Sequence, residues 1–524
     1  MFSVEVSDIP GISPLILDYV NQDKNISGLY ENYPSVKNVK RQIEYRKNHP
    51  VNRALLAEVF THQYKNTEIS SLTKANINSI KDENTFTITT GHQINLFTGP
   101  VFFIYKIMDA VLLAKHLKEI YPKYNFVPVY WMATEDHDFE EINHFNFRGS
   151  TFKWNTTQTG AVGRFDTWEL KEQLEEILNT ALPTKVFDVF KEAYFTHKNL
   201  SQATRYLINN LFGEYGLLIL DPDQKQLKKQ MISYFKRELL GQVTYKNVNQ
   251  TIDDMPKKYR VVVNPRDINL FYLKDDIRER IVYEGDSYKV LNTDIEFSEG
   301  EIIKELESNP ERFSPNVLMR PLYQEVILPN LCYMGGATEI SYWLQLKNNF
   351  NYFEIPFPIL KVRNSVLVFT KKQYHKMKKL NICDRDIFLT SREIINASLD
   401  IDNHHVSKVL SDQVSKLRDI FCTLKEESKK TNITFYQAVL AQEAKQLKGL
   451  KKLERRLYRA ERKVNHSLVE RIENLKEELF PNNGLQERCS NFFELYEDSC
   501  VFLSDIEKNI NPMDFKYFAL ISDI

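Results

Sequence analysis

The chain has 524 residues, with 69 Lys+Arg against 70 Asp+Glu and a formal net charge of -1. That balance excludes a generally basic nucleic-acid coat and leaves room only for a local basic patch. A hydrophobic fraction of 42% excludes wholesale disorder, and at roughly 100–200 residues per domain the length allows about three domains, or one large domain with insertions.

The opening MFSVEVSDIPGISPLILDYV has no basic stretch followed by an apolar run and a small-residue cleavage site, so no secretory signal is expected. No uninterrupted apolar run is long enough for a membrane-spanning helix. Cys332, Cys383, Cys422, Cys489 and Cys500 are widely spaced and form no CxxC pair, which fits reduced thiols in a cytoplasmic protein.

Residues 1–85 read as mostly helical. TFTITT (85–90) is a β-branched and aromatic strand that runs into GHQINLFTGP (91–100). The apolar-rich helix VFFIYKIMDAVLLAKHLKEI (101–120) follows, and NFVPVYWMA (125–133) is a second strand, apolar on both faces as a buried parallel strand should be. Together these make a βαβ unit. It recurs more weakly as a helix at 200–216, a strand LLILDPD (217–223) and a helix at 224–240.

Alternation at 258–297, starting with YRVVVNP, predicts a small antiparallel insertion. YQEVILPNLCYMGGATEISYWLQLKNNF (323–350) predicts a strand, a Gly-Gly turn and a helix, and 352–369 is strand material interrupted by Pro356 and Pro358. Beyond residue 370, Val414, Leu417, Phe421 and Leu424 keep a heptad-like spacing. So do Leu450, Leu453, Leu457, Ala460 and Val464, and the stripe continues after a stutter through Leu468, Ile472, Leu475 and Leu479. Two long helices are expected, separated near Lys429–Asn432, the second running from about Thr434 to just before Pro481. The domains are then a core at 1–370 with insertions near 145–200 and 245–310, an α-helical hairpin at 371–480, and a helical tail at 481–524 docked on the core or hairpin.

Chemistry concentrates at predicted strand ends, where open α/β sheets bind ligands. EDHDFEEINH (135–144) packs Glu135, Asp136, His137, Asp138, Glu140, Glu141 and His144 directly after the second strand. Such a cluster serves as acid and base, holds an ammonium, or binds a metal, although its spacing matches no standard metal pattern. TTGHQINLFTGP (89–100) brackets a helix start with Gly91 and Gly99, a place for phosphate, with His92, Gln93 and Asn95 as hydrogen-bonding groups. YMGGATEISYW (333–343) holds the one adjacent glycine pair, Gly335-Gly336. There Glu339 either caps the next helix or, with Tyr342, lines the same crevice. KVRNS (361–365) offers Lys361 and Arg363 to a triphosphate. The basic run from Lys445 to Lys463 reads first as a solvated coiled-coil face and second as a surface for nucleic acid or an acidic partner.

TGHQINLFTGPVFFIYK, PVYWMATEDHDFEEINH, RPLYQEVILPNLCYMGGATEISYWLQLK and NGLQER, in this order, resemble the bacillithiol biosynthesis cysteine-adding enzyme family over essentially the whole chain. That family commonly reads TGQQ and Gly-Pro-Gly-Glu where this chain has Thr90-Gly91-His92-Gln93 and Gly336-Ala337-Thr338-Glu339. The resemblance implies an α/β fold: a Rossmann-like parallel-sheet core related to class I synthetases and nucleotidyltransferases, with connective insertions and a long coiled coil that forms a homodimer. The implied activity adds cysteine to the amino group of glucosaminyl-malate. ATP or another adenine nucleotide is expected, acting through a cysteinyl-adenylate, with the need for a metal left open. On this reading His92, Asp136, His137 and Asp138 are catalytic. Gln93, Asn95, Glu135, Gly335, Gly336, Glu339 and Tyr342 hold substrates, and Gly91, Gly99, Lys361 and Arg363 hold the nucleotide. The rivals are another adenylate- or nucleotide-transferring enzyme that could act on tRNA through the basic hairpin, a metal-dependent hydrolase built on Glu135–His144, and, last because the strand ends are so polar, a non-catalytic scaffold that uses the coiled coil.

Overall fold

Thr85–His92 forms β1, and its β-branched run is buried along almost its whole length. A computed structural model describes residues 1–9, 11–147, 150–178, 184–399, 405–496 and 498–522. In it β1 is joined by β2 (Asn125–Met132), β3 (Leu218–Leu220), β4 (Asn330–Gly335) and β5 (Ile359–Val362). The spatial order is β5-β4-β1-β2-β3, all parallel. Chain order reverses between β1 and β4, which makes that edge the topological switch point of a doubly wound sheet. Pro128 is tolerated inside β2 because pairing with β3 begins only at Val129, so no ladder bond is asked of it on that side.

Helix α1 (Phe102–Ile120) follows β1, and α2 (Ala337–Leu344) follows β4. The first three turns of α1 are buried nearly all round, including Lys106 and Asp109, each 1% exposed. Charges so deep need partners inside the protein.

Between β2 and β3 lie a ribbon of His144–Phe147 and Ser150–Lys153 and the helices Trp168–Leu178, Thr184–Thr196 and Leu200–Phe212. Between β3 and β4 lies an antiparallel sheet of Leu270–Lys274, Ile277–Glu284, Ser287–Val290, Glu296–Phe297 and Phe313–Pro315. YRVVVNP does not join it. The Gln345 side chain takes the ladder's place, accepting from the Val262 and Val263 N–H groups (2.8 and 3.3 Å) and donating to the Val263 carbonyl (2.8 Å).

The strand material at 352–369 divides between two sheets. Ser365–Thr370 leaves the core and pairs in parallel with Lys516–Ser522, which pairs antiparallel with Phe2–Glu5. The expected helical tail is therefore corrected: it holds short helices, but its end is a strand, because the apolar run FALI is buried on both faces. The hairpin is α3 (His405–Lys429) and α4 (Ile433–Val464), followed by α5 (His466–Leu479). The single second helix expected to Pro481 is broken at Asn465, just where the apolar stripe stutters. Beyond the break Val469, Ile472, Leu475 and Leu479 enter a second core with Leu367, Phe369 and Tyr517, whereas in α4 Val439 is the one buried residue. Among the described residues, no helix is long and apolar enough to cross a membrane.

Candidate functional site

At the switch point, Lys106 reaches from α1 to the Gly91 carbonyl and to Glu339, 2.7 Å away. Glu339 caps α2 by accepting from the Gly336 N–H (2.8 Å) and also accepts from the Tyr333 hydroxyl (2.9 Å). Burial works to raise the Glu339 carboxyl, but Lys106 overrides it and holds it low. Arg320 fills the space above. Its guanidinium lies 5.5 to 5.8 Å from the ring centroids of Trp131, Tyr333 and Trp343, and donates to Gln324 (3.0 Å). Gly91 makes this possible, because a Cβ there would stand 3.3 Å from the Tyr333 hydroxyl and 3.4 Å from Arg320 Nη1. Tyr342 is buried, and the Arg320 charge acts on its hydroxyl. Gly335 ends β4 and Gly336 precedes α2.

The second part lies beyond β2. Gln93 donates to Asp136 (2.9 Å) and to Glu141 (2.7 Å), and Asn95 donates to the Glu141 carbonyl (3.3 Å). Arg278, from the antiparallel insertion, contacts Asp136 (3.4 Å) and donates to His137 Nδ1 (2.5 Å) while lying 4.1 Å from the Phe271 ring. Burial, then Arg278, holds His137 below the usual imidazole range, so it is neutral near pH 7. With Nδ1 accepting from Arg278, the imidazole proton sits on Nε2, which makes His137 a donor toward a ligand. Glu135 is engaged with the fully buried Lys228, which also lies 3.9 Å from Asp223. Asp138 is exposed.

Some of these residues border one cavity of about 560 Å³, whereas the expected substrate-holding residues Gln93, Asn95, Gly335, Gly336, Glu339 and Tyr342 and the expected catalytic Asp138 are not part of its wall. Glu135, Asp136 and His137 line it from the core, Arg266, Arg278 and Arg280 from the insertion, and Arg320 from the switch point. Arg278 and Arg280, two apart on a strand, share a face.

Three expectations need correcting. Burial, with Lys106 next, pushes His92 down to about 3, and its ring stacks on Phe103, so it has no positive charge for a phosphate. The start of α1 is covered by the tail: Val101 N–H donates to the Ser490 carbonyl (2.9 Å), and Asn491 holds the Gly99 carbonyl (2.9 Å). Lys361 donates to the Val362 and Asp514 carbonyls, and Arg363 forms a two-pronged pair with Glu487 (2.8 and 2.9 Å). The nucleotide contacts expected of Gly91, Gly99, Lys361 and Arg363 do not fit this geometry.

Sequence reasoning missed Lys106, Lys228, Arg266, Arg278, Arg280 and Arg320. A signal existed for Lys106, which with Asp109 interrupts the apolar run VFFIYKIMDAVLL. Arg266, Arg278 and Arg280 carried none, since their approach to the cavity depends on how a distant insertion docks. Among the described residues, no group of three or more His, Cys, Asp or Glu is placed to hold a metal ion.

Two family models cover the chain: the bacillithiol biosynthesis BshC N-terminal Rossmann-like domain over residues 2–364, and the BshC C-terminal coiled-coil domain over 366–521. Relatives named "Putative cysteine ligase BshC" align along nearly the whole length. The Flavobacterium johnsoniae protein is 49% identical over 495 residues, 92% of each chain. That of Flavobacterium psychrophilum is 48% identical over 513 residues, 96% of each chain. The Cytophaga hutchinsonii protein is 38% identical over 524 residues, 98% of each chain. The parallel sheet with its crevice, the coiled-coil hairpin and these matches give one conclusion: the chain belongs to the bacillithiol biosynthesis BshC family.

Proposed function

We propose that this protein is a cysteine ligase of bacillithiol synthesis, joining the carboxyl of cysteine to the amino group of glucosaminyl-malate. The observation that carries the reading is the charge of the cavity. Arg266 and Arg280 line it, and neither is in an ion pair among the described residues. Uncommitted guanidinium groups favour an anion, and the malate aglycone brings two carboxylates that their planar forks bind in pairs. About 560 Å³ lies within the roughly 300–1,000 Å³ usual for small-molecule sites.

Forming an amide requires an activated carboxyl and a neutral amine. An adenine nucleotide supplies the activation as a cysteinyl-adenylate, releasing pyrophosphate, and attack by the amine then releases AMP. The cavity arginines, not the 91–99 turn, are the cations suited to its phosphates. Asp136 receives the proton that the substrate ammonium must lose, held for this by Gln93 and Arg278. His137 donates from Nε2 to the bound sugar or to the developing oxyanion. The hairpin pairs with a second copy of the chain through the apolar seam it leaves uncovered.

Purified protein incubated with ATP, cysteine and glucosaminyl-malate is expected to yield bacillithiol, with AMP and pyrophosphate in equal amounts. Absence of bacillithiol, with and without divalent metal, overturns the reading. Replacing Arg280 with Met should raise KM for glucosaminyl-malate more than KM for cysteine. The reverse would move the anionic substrate out of this cavity.

A further inference from the structure

The loop between β1 and α1 follows a course that its sequence does not favour. Phe97 and Thr98 have left-handed backbones, with φ of 52° and 66°, and Gly99 follows at 63°. Glycine takes that region freely, whereas phenylalanine and threonine must be held there by their surroundings. The grip comes from two directions. From the insertion, the Tyr194 hydroxyl accepts from the Phe97 N–H (2.9 Å), and the Phe97 ring stacks on Phe145 with centroids 4.1 Å apart. From the C-terminal tail, the buried Asn491 amide donates to the carbonyls of both Phe97 (2.7 Å) and Gly99 (2.9 Å), spanning the left-handed stretch.

The tail segment is itself fixed. Gln486 exchanges two hydrogen bonds with the Val368 backbone (2.8 and 3.0 Å), and Glu487 takes both arms of Arg363. At its other end the same loop carries Gln93, which bridges Asp136 and Glu141. Asn491, almost 400 positions downstream in sequence, is thus connected through its two hydrogen bonds, the loop backbone and Gln93 to the carboxylate that faces the cavity.

We propose that Asn491 is a positioning residue of the reaction: its amide clamps the Phe97 and Gly99 carbonyls and so keeps Gln93 on Asp136. The clamp is a matter of geometry, while its effect on turnover rests on the function proposed above.

Asn491→Asp is the sharpest variant, because it keeps the side chain's shape and replaces the two donated hydrogens with a buried carboxylate that faces the same two carbonyls. The expected result is a kcat at least tenfold lower, a KM for glucosaminyl-malate within about twofold, a chain that melts lower than the parent but stays folded at the assay temperature, and faster amide exchange across residues 96–101. Gln486→Ala, which loosens the tail without touching the loop, should lower kcat far less. The proposal is overturned if Asn491→Asp turns over like the parent, if exchange at 96–101 stays as slow, or if Gln486→Ala costs as much kcat. It is also overturned if the loss of kcat only follows a loss of folded protein. Should the parent protein make no bacillithiol, the function fails instead, and the exchange measurement still decides whether the clamp exists.

Discussion

The switch-point crevice and the hairpin seam answer opposite problems. Around α1 the chain buries charge and pairs it internally: Lys106 meets Glu339, Asp109 meets the Asn364 backbone and side chain, and Arg363 meets Glu487. On the hairpin it leaves apolar groups in water: Ile420 is 56% exposed, Leu453 49% and Val464 81%. The first arrangement is made within one chain, as suits a site that must hold reacting groups. The second is unfinished, since a heptad stripe has its full value only when a facing helix covers it.

The contrast breaks most visibly at the buried pair. Arg363→Ala leaves the buried Glu487 without its cation, so a loss of about 3–5 kcal/mol is expected, read from the urea midpoint. Arg363→Met with Glu487→Leu should recover most of it. A single variant as stable as the parent would mean the crevice charges are less committed than their distances indicate.

Next comes Glu325, which accepts from Gln324 (2.8 Å) and Asn330 (2.7 Å) beneath Arg320. Burial lifts its carboxyl from 4.5 to about 7. The folded chain then binds that proton more tightly than the unfolded one, so this group's stabilisation is full below pH 4.5 and is lost as pH rises through about 7. Relative to the parent, Glu325→Gln should gain roughly 3 kcal/mol across that window. A difference that stays flat with pH refutes the assignment. Asp136→Asn should lower kcat about 100-fold with little change in melting temperature, while Asp138→Asn, facing solvent, should leave kcat near that of the parent. Equal losses in the two would return Asp138 to the site.

The legible parts of the molecule were those governed by local pattern. β1, α1 and β2 were readable because a parallel strand buried on both faces has to be an apolar run, and Gly91 and Gly335 marked the switch point because glycine is scarce in this chain. The break at Asn465 was foreshadowed by the stutter between Val464 and Leu468. Long-range pairing hid the rest. Nothing near 516–522 says that it inserts between Phe2–Glu5 and Ser365–Thr370, and YRVVVNP looked like a strand because Gln345, some 80 residues away, satisfies it instead. At the site, the acidic block is local in sequence and so legible, whereas Arg266, Arg278, Arg280 and Arg320 reach the same cavity from elsewhere in the chain.

The hairpin seam carries the smallest expected change in stability. Leu453 sits on α4 with about half its surface in water, beside a groove of about 420 Å³ lined by Leu410, Val414, Leu447 and Leu450. Leu453→Ala should alter the unfolding free energy by less than about 0.5 kcal/mol, as for other surface positions. Self-association should respond differently. A fully buried leucine contributes about 1.5–3 kcal/mol, and a symmetric pair loses two of them, so the dimer dissociation constant should rise by tenfold or more at about 1.4 kcal/mol per decade. Sedimentation across a concentration series reads both quantities on one protein. If the parent remains monomeric at high concentration, or if Leu453→Ala unfolds the hairpin without first separating a dimer, the exposed seam is no interface between copies and the contrast with the crevice loses its meaning.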